Sequence, residues 1–277
     1  MTLPQQTSAI GWISAPRGWS IQVAAGISTR SGGVSQGWLA QANYSLRVGD
    51  DPARVAENRR RLAEAADVPL SCAAGLALEH GARIHHVDGA SPPLPGDGLV
   101  TTRGGLPLAL TVADCLPLML AAERRGVALV HCGWRGITVG IAAKAVAAVI
   151  RATGCEPSVM DAWIGPGIGP CCFNLPAVSA ALFPSAFRSE SVPGFHAVDL
   201  AGALTHDLQQ AGLAAQRIHR SRFCTACRDD LFYSHRRDRG RTGRMLAWIM
   251  LEAEPAHTRN TRAARDDSHS TEDGHPY

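Results

Sequence analysis

Thr111 to Gly136, TVADCLPLMLAAERRGVALVHCGWRG, limits the possible folds of this chain more than any other stretch. It reads as two buried strands, each ending in a group able to bind a metal. The first climbs through Leu106, Leu108, Leu110 and Val112 and stops at Ala113-Asp114-Cys115. The second, Val127 to Val130, is short, apolar and β-branched, and stops at His131. A Gly-Trp-Arg-Gly turn follows, then an apolar-periodic segment from Ile137 to Ala152 that predicts a helix. Strand, polar tip, glycine turn and helix together build a site at strand ends.

Around this stretch the chain alternates strand and helix signals, which predicts an α/β fold. We expect one domain over residues 1–254, with mixed β-sheets flanked by helices and the site in a cleft at strand ends. Asp51-Pro52 starts a helix, with Asp51 as N-cap and Pro52 at the first helical position, running to about Ala66. Val55, Arg59 and Leu62 share one face of it, so Arg59 is expected to point toward apolar neighbours. Strands are expected at Trp19–Ser28, Arg83–Val87, Val159–Ile164, Phe195–Val198, Gln216–His219 and Met245–Leu251. Asp199 is expected to cap a helix over Leu200–Gln210. The paired glycines of Thr29-Arg30-Ser31-Gly32-Gly33-Val34-Ser35 permit a tight turn, whose amides could equally hold an anion. Residues 255–277 are polar and aperiodic and read as a disordered tail.

Composition narrows the function classes. Apolar residues make up 45% and charged residues 18%, as in a globular enzyme. The net charge is only +3 with scattered arginines, so nucleic acid is not implied. No apolar stretch approaches the ~18 residues of a membrane span, and the N-terminus lacks an export signal. A reducing cytoplasm is therefore expected. The eight cysteines then read mostly as small buried hydrophobes rather than disulfides. Cys224-Thr225-Ala226-Cys227 has the C-x-x-C spacing of zinc ribbons or redox motifs, and without a second such pair is weak evidence for either.

His80 lies just before Gly81, where a loop can aim it inward. Together with Cys115 and His131 it would make a Cys-His-His zinc site with one open position, and such zinc lowers the pKa of bound water toward ~7. Asp114 would be a supporting partner or a proton carrier. Two other readings stay open on the residues alone: a Cys115 nucleophile with His131 as base, or an inert core thiol beside a strand-end histidine.

Several ordered motifs bear on that choice: Thr111-Val112-Ala113-Asp114-Cys115-Leu116-Pro117, His131-x-Gly133-Trp134-Arg135-Gly136, Ile164-Gly165-Pro166-x-Ile168-Gly169, and Ser234-x-Arg236-Arg237-Asp238 followed by Thr242-Gly243-Arg244. With Gly32-Gly33-Val34-Ser35, Val48-Gly49-Asp50-Asp51-Pro52 and Glu57-Asn58-Arg59, the chain resembles the laccase-domain family from there to about Leu251. Its members are described as multicopper polyphenol oxidases, peptidoglycan editing factors and purine nucleoside phosphorylases. The resemblance implies that His80, Cys115 and His131 bind one zinc. It also implies an α-β sandwich similar to that of cytotoxic-necrotizing-factor-like cysteine hydrolases. The implied activities are phosphorolysis of adenosine, inosine, guanosine and methylthioadenosine, and hydrolytic deamination of adenosine.

Purine nucleosides and phosphate are then the expected small-molecule partners. Arg59, the Gly32-Gly33 turn and Asn43 are candidates for phosphate or ribose contacts, with Arg135 and Arg236 in reserve. The chain departs from the family pattern at Glu79, Cys132, Arg47 and His235, changes that bear on pocket polarity and substrate range rather than on the ligands. Copper-dependent phenol oxidation ranks below the zinc reading, because the chain has no His-x-His motif to hold several coppers. Editing of a peptidoglycan precursor at an amide would need the same metal chemistry.

Overall fold

The structure, a computed structural model, describes residues 9–16, 19, 22–123 and 125–253. The expected tail, residues 255–277, lies outside them, as do residues 20 and 21 of the expected first strand. Two six-stranded mixed sheets stack face to face. The first has the order β1 (Trp12–Ser14), β2 (Val23–Ser28), β15 (Met245–Leu251), β7 (Leu108–Val112), β3 (Ala74–Ala77) and β5 (Leu94–Pro95). The second has the order β14 (Ile218–Arg220), β10 (Asp161–Ile164), β8 (Leu116–Ala122), β9 (Gly126–Cys132), β6 (Gly98–Thr101) and β4 (Ile84–His86). A small third sheet joins β11 (Asn174–Pro176), β13 (Phe195–Val198) and β12 (Arg188–Val192).

Alternation along the strands decides which residues fill which layer. Leu108, Leu110 and Val112 of β7 meet Met119, Ala121, Val127 and Leu129 of β8 and β9 in the core between the sheets. The intervening side chains of the second sheet, Leu116, Leu118, Leu120, Ala128 and Val130, pack under α3 (Ile141–Thr153) and α5 (Leu200–Gln210). On the far side of the first sheet, Leu246 and Trp248 pack with Tyr44 and with Leu62 of α1 (Pro52–Ala66). The result is a helix–sheet–sheet–helix sandwich, in which burying Leu62 alone contributes roughly 1.5–3 kcal/mol. This is the expected architecture of mixed sheets flanked by helices.

Local chemistry explains most element boundaries. Asp51 caps α1 by accepting from the Ala53 amide at 2.9 Å, with Pro52 at its start. Asp199 caps α5 by accepting from the Gly202 amide at 2.8 Å. The segment expected as one long helix is broken: α2 (Trp134–Thr138) stops before Gly140, which adopts φ +77°, and α3 begins after it. Glycine takes that conformation without the penalty a side chain would meet.

The central stretch differs from its expected form in one important way. It contains three strands, because Leu116–Ala122 is itself a strand, buried along its whole length on both faces. It forms an antiparallel hairpin with β9, pairing Pro117 with His131. The chain leaves β7 in one sheet and enters β8 in the other, and Asp114-Cys115 forms the corner between them. α4 (Ala177–Ala180) is a short helix leading from the third sheet.

A candidate metal centre and its cleft

At that corner Asp114 adopts φ +81°, a left-handed conformation that costs a non-glycine residue about 1–2 kcal/mol. The surrounding contacts hold it there. Its Oδ1 accepts from the Thr225 hydroxyl at 2.6 Å, its Oδ2 from the Arg236 amide at 2.7 Å, and its carbonyl from the Ile168 amide at 2.8 Å. The turn aims the next residue, Cys115, toward the edge of the hairpin. His131, one position from the end of β9, is 2% exposed and reaches the same point from the neighbouring strand. His80 arrives from the loop after β3, also with a positive φ, +59°.

The three side chains expected to bind one metal converge. One potential ligand atom from each of His80, Cys115 and His131 lies within 4.8 Å of the others. The two imidazoles stand edge to face, with ring centroids 4.9 Å apart. Gly133 packs closely beside them: a Cβ there would lie 3.3 Å from Cys115 Sγ and 3.6 Å from His131 Cε1.

Asp97 organises this trio and was not recognised from the sequence, where it falls in a Pro/Gly loop. Fully buried, it holds His131 Nδ1 at 2.9 Å and accepts from the amides of His80 and Gly81 at 2.9 and 2.7 Å. Fixing Nδ1 leaves His131 Nε2 as the ligating nitrogen, the usual carboxylate–histidine support of a metal ligand. Burial pushes Asp97 up, but His131 and the two amides outweigh it and hold the carboxyl below its ordinary range. Burial likewise pushes the Cys115 thiol up, and the charge and hydrogen bonds of His131 and His80 overcome it, bringing the thiol down to about 6. Burial lowers His131, whereas Cys115 and Asp97 raise it to about 9. Both shifts favour the charged forms, a thiolate beside an imidazolium, at neutral pH.

One thiolate and two imidazoles suit zinc, a borderline-soft ion that takes sulfur and nitrogen and keeps an open position in catalytic sites. The residues present therefore fit the group. Among the described residues the other potential metal-binding group is all cysteine, unlike the histidine-rich sites that several coppers need.

A cavity of about 460 Å³ opens beside His80, lined also by Arg47, Arg59, Thr111, Ser45 and Arg244. That size falls within the range of small-molecule sites. Arg59 reaches its rim from α1 and donates through Nε and Nη2 to the Tyr44 carbonyl at 3.0 and 2.7 Å. It is exposed, not turned into the apolar face; the buried polar residue of α1 is its neighbour Asn58. Arg244 is half-buried and donates to the Thr242 and Gly243 carbonyls. Burial pushes its pKa down, opposed by the negative charges of Asp114 and Cys115. The sequence placed Arg244 in a motif but gave it no role, although its position there was the available signal.

The other candidate substrate contacts lie elsewhere. Gly32, Gly33 and Asn43 do not line the cavity. The Gly32 amide donates to Gln41 Oε1 at 2.8 Å, and a Cβ on Gly33 would meet Asn58 Oδ1 and the backbone of Ala42 at 2.5 Å. Asn43 is fully buried; its Oδ1 accepts from the Arg244 amide at 2.9 Å, and its Nδ2 donates to Asp50. It thereby fixes the backbone from which Arg244 enters the cleft. Arg135 is exposed and stacks on Trp134 at 4.5 Å. Arg236 is also exposed; its amide holds Asp114, while its side chain lies over Phe173 and donates to the Asn174 carbonyl.

The family model of the multi-copper polyphenol oxidoreductase laccases matches residues 24–252. The chain belongs to this family. It is 40% identical over 262 residues to the purine nucleoside phosphorylase YlmD of Geobacillus stearothermophilus, covering 88% of this chain and 96% of that protein. A purine nucleoside phosphorylase of Deinococcus radiodurans is 38% identical, covering 88% and 95%. The crystal structure of YlmD from Geobacillus stearothermophilus superposes with a TM-score of 0.84 at 38% identity, covering 90% of this chain and 98% of that one. This laccase-family member thus shares its sandwich with relatives named for nucleoside chemistry.

Proposed function

We propose that the chain is a zinc-dependent purine nucleoside phosphorylase that also deaminates adenosine. The observation that carries this reading is the convergence of His80, Cys115 and His131 beside a cavity lined by Arg47, Arg59 and Arg244. The names of the two relatives support the phosphorylase part. Adenosine, inosine, guanosine and methylthioadenosine are the proposed substrates, with phosphate as co-substrate, and the proposed location is the cytoplasm.

His80, Cys115 and His131 would hold the zinc, which when bound would supply Lewis acidity. The rest of the work falls to the protein's own groups. Phosphorolysis brings a phosphate dianion against the anomeric carbon while the ribose becomes cationic, so the anion must be bound and aimed. Arg244 and Arg59 are fixed to backbone carbonyls and present guanidinium groups whose positions are set before substrate arrives. Arg47, exposed on the short helical turn Leu46–Val48, adds a third cation at the mouth. Asp97 keeps the His131 ring oriented. Asp114 has both carboxylate oxygens engaged, and its part is to hold Cys115 in place and join the corner to the loops at 165–173 and 221–238.

The test is incubation of purified, metal-analysed protein with adenosine, with and without phosphate, followed by separation of products. Adenine and ribose-1-phosphate forming only with phosphate show phosphorolysis, and inosine forming without it shows deamination. Failure to turn over any nucleoside, combined with cleavage of a cell-wall precursor, would overturn the proposal.

A further inference from the structure

Two loops on the far side of Asp114 bring together four thiols that the proposed reaction does not use. Cys171 and Cys172 lie in the turn after the Gly165–Pro170 segment, and Cys224 and Cys227 form the C-x-x-C pair after β14. One sulfur from each lies within 4.8 Å of the others. Cys227 Sγ is 3.5 Å from Cys171 Sγ and 3.4 Å from Cys172 Sγ. We propose that Cys171, Cys172, Cys224 and Cys227 form a closed, structural zinc site, separate from the His80–Cys115–His131 centre.

The geometry distinguishes a metal site from the two ordinary fates of cysteine. A disulfide holds its sulfurs at about 2.05 Å. Four sulfurs each ~2.3 Å from a tetrahedral zinc stand roughly 3.8 Å apart, close to the separations here. Nor are these thiols enclosed in the core: Cys171 and Cys227 are exposed, and Cys172 and Cys224 are half-buried at its edge, whereas Cys132 and Cys155 are buried. Adjacent residues of an extended chain point to opposite sides. Cys171-Cys172 instead sits in a helical turn, with the amides of Cys172 and Phe173 both donating to the Gly169 carbonyl, so the two sulfurs can face one point.

The backbone around Cys224 is arranged for a thiolate. The Gly169 amide donates to its sulfur at 3.2 Å. A tetrathiolate carries net negative charge even with zinc bound. Arg220 and Arg222 line the same surface hollow as Cys171 and Cys224 and supply opposite charge.

The position gives the site a purpose. The two loops carry little regular structure and are joined by the isolated bridge between Gly167 and Cys224 and by the Thr225 amide donating to the Gly167 carbonyl at 3.0 Å. Thr225 lies inside the C-x-x-C turn, and its hydroxyl is the donor to Asp114 Oδ1. A metal held by residues of both loops would lock the turn that supports the strained corner before Cys115.

The experiment measures zinc in the whole protein, purified anaerobically with reductant, by native mass spectrometry. The wild type is expected to carry two zinc ions per chain. Cys171→Ser/Cys227→Ser and His80→Ala/His131→Ala are each expected to carry one, lost from different sites. A second measurement needs no variant: in zinc-loaded wild type, iodoacetamide should modify exposed Cys72 but spare exposed Cys171 and Cys227 until a chelator is added. Failure of nucleoside turnover would leave this result untouched, so the two proposals fail separately. Zinc content unchanged by Cys171→Ser/Cys227→Ser, a disulfide among the four cysteines, alkylation of Cys171 and Cys227 at the rate of Cys72, or iron in place of zinc would each overturn the assignment.

Discussion

Asp97 Oδ1 lies 2.9 Å from His131 Nδ1, and the same carboxylate accepts from the His80 amide, so one buried side chain orients two of the three proposed metal ligands. Removing its charge while keeping its shape should therefore weaken the metal more than the fold. Asp97→Asn is expected to fold and to lose about 10–100-fold in zinc affinity, read by competition with a chromophoric chelator. Asp97→Ala should also lose about 1–3 kcal/mol of stability for each buried partner left unpaired. Unchanged zinc affinity in Asp97→Asn would show that His131 is oriented by something else.

The Cys115–His131 pair makes the metal-free protein pH-sensitive. A thiol with a depressed pKa contributes stability that is present above the ordinary thiol range and lost as pH falls through about 6. A histidine with a raised pKa contributes stability that is present below its ordinary value and lost as pH rises through about 9. Their mutual attraction needs both groups charged, which holds only between those limits. Melting temperatures in chelator should therefore be highest between about pH 6 and 9, and alkylation of Cys115 should have its midpoint near pH 6. His131→Ala should return that midpoint to the ordinary thiol range, and an unmoved midpoint would sink the ion-pair account.

Thr225 lies far from β7 in sequence but supports the turn between β7 and β8. Thr225→Val keeps the volume of a fully buried side chain and removes the hydroxyl that Asp114 accepts. A cost of about 1–3 kcal/mol is expected from urea unfolding, with activity reduced and zinc at the His-Cys-His centre retained. Wild-type stability in this variant would mean the bond contributes nothing to holding the corner.

Arg244 supplies the test of the anion pocket. Replacing it with Met keeps much of the apolar stem but removes the charge, and one charge-assisted hydrogen bond is worth roughly 1.5–3 kcal/mol. The KM for phosphate should rise about 10–100-fold, with zinc content unchanged. Arg135→Met, on an exposed residue stacked on Trp134, should leave it near wild type. If both variants behaved alike, the cavity beside His80 would not be the phosphate site.

Local signals were legible where a cap, or an apolar run rich in β-branched and aromatic residues, stands apart from its neighbours. The cap at Asp51, the strand Phe195–Val198, the cap at Asp199 and the strand Met245–Leu251 all stand where their patterns predict. Strand β8 was hidden because LPLMLAA carries a proline and no β-branched residue, and, being buried on both faces, shows no alternation. The three proposed ligands were legible because each lies at a strand end or in the loop beyond one, where polar groups of that chemistry are conspicuous. Arg59 was expected on an apolar face and lies at an exposed rim, since the adjacent Asn58 takes the buried polar place.

Residue identity alone determined the alternation of strands and helices, the caps, and the thiol and imidazoles able to take a metal. The tertiary fold alone decided which groups would meet. Asp97 reaches His131 across 34 positions, Thr225 reaches Asp114 across 111, and Cys227 reaches Cys172 across 55. Hydrogen-bond periodicity and side-chain alternation act over a few residues and leave a trace in local composition. Contacts closed by stacking two sheets depend on strand order and register, for which no single segment carries a signal.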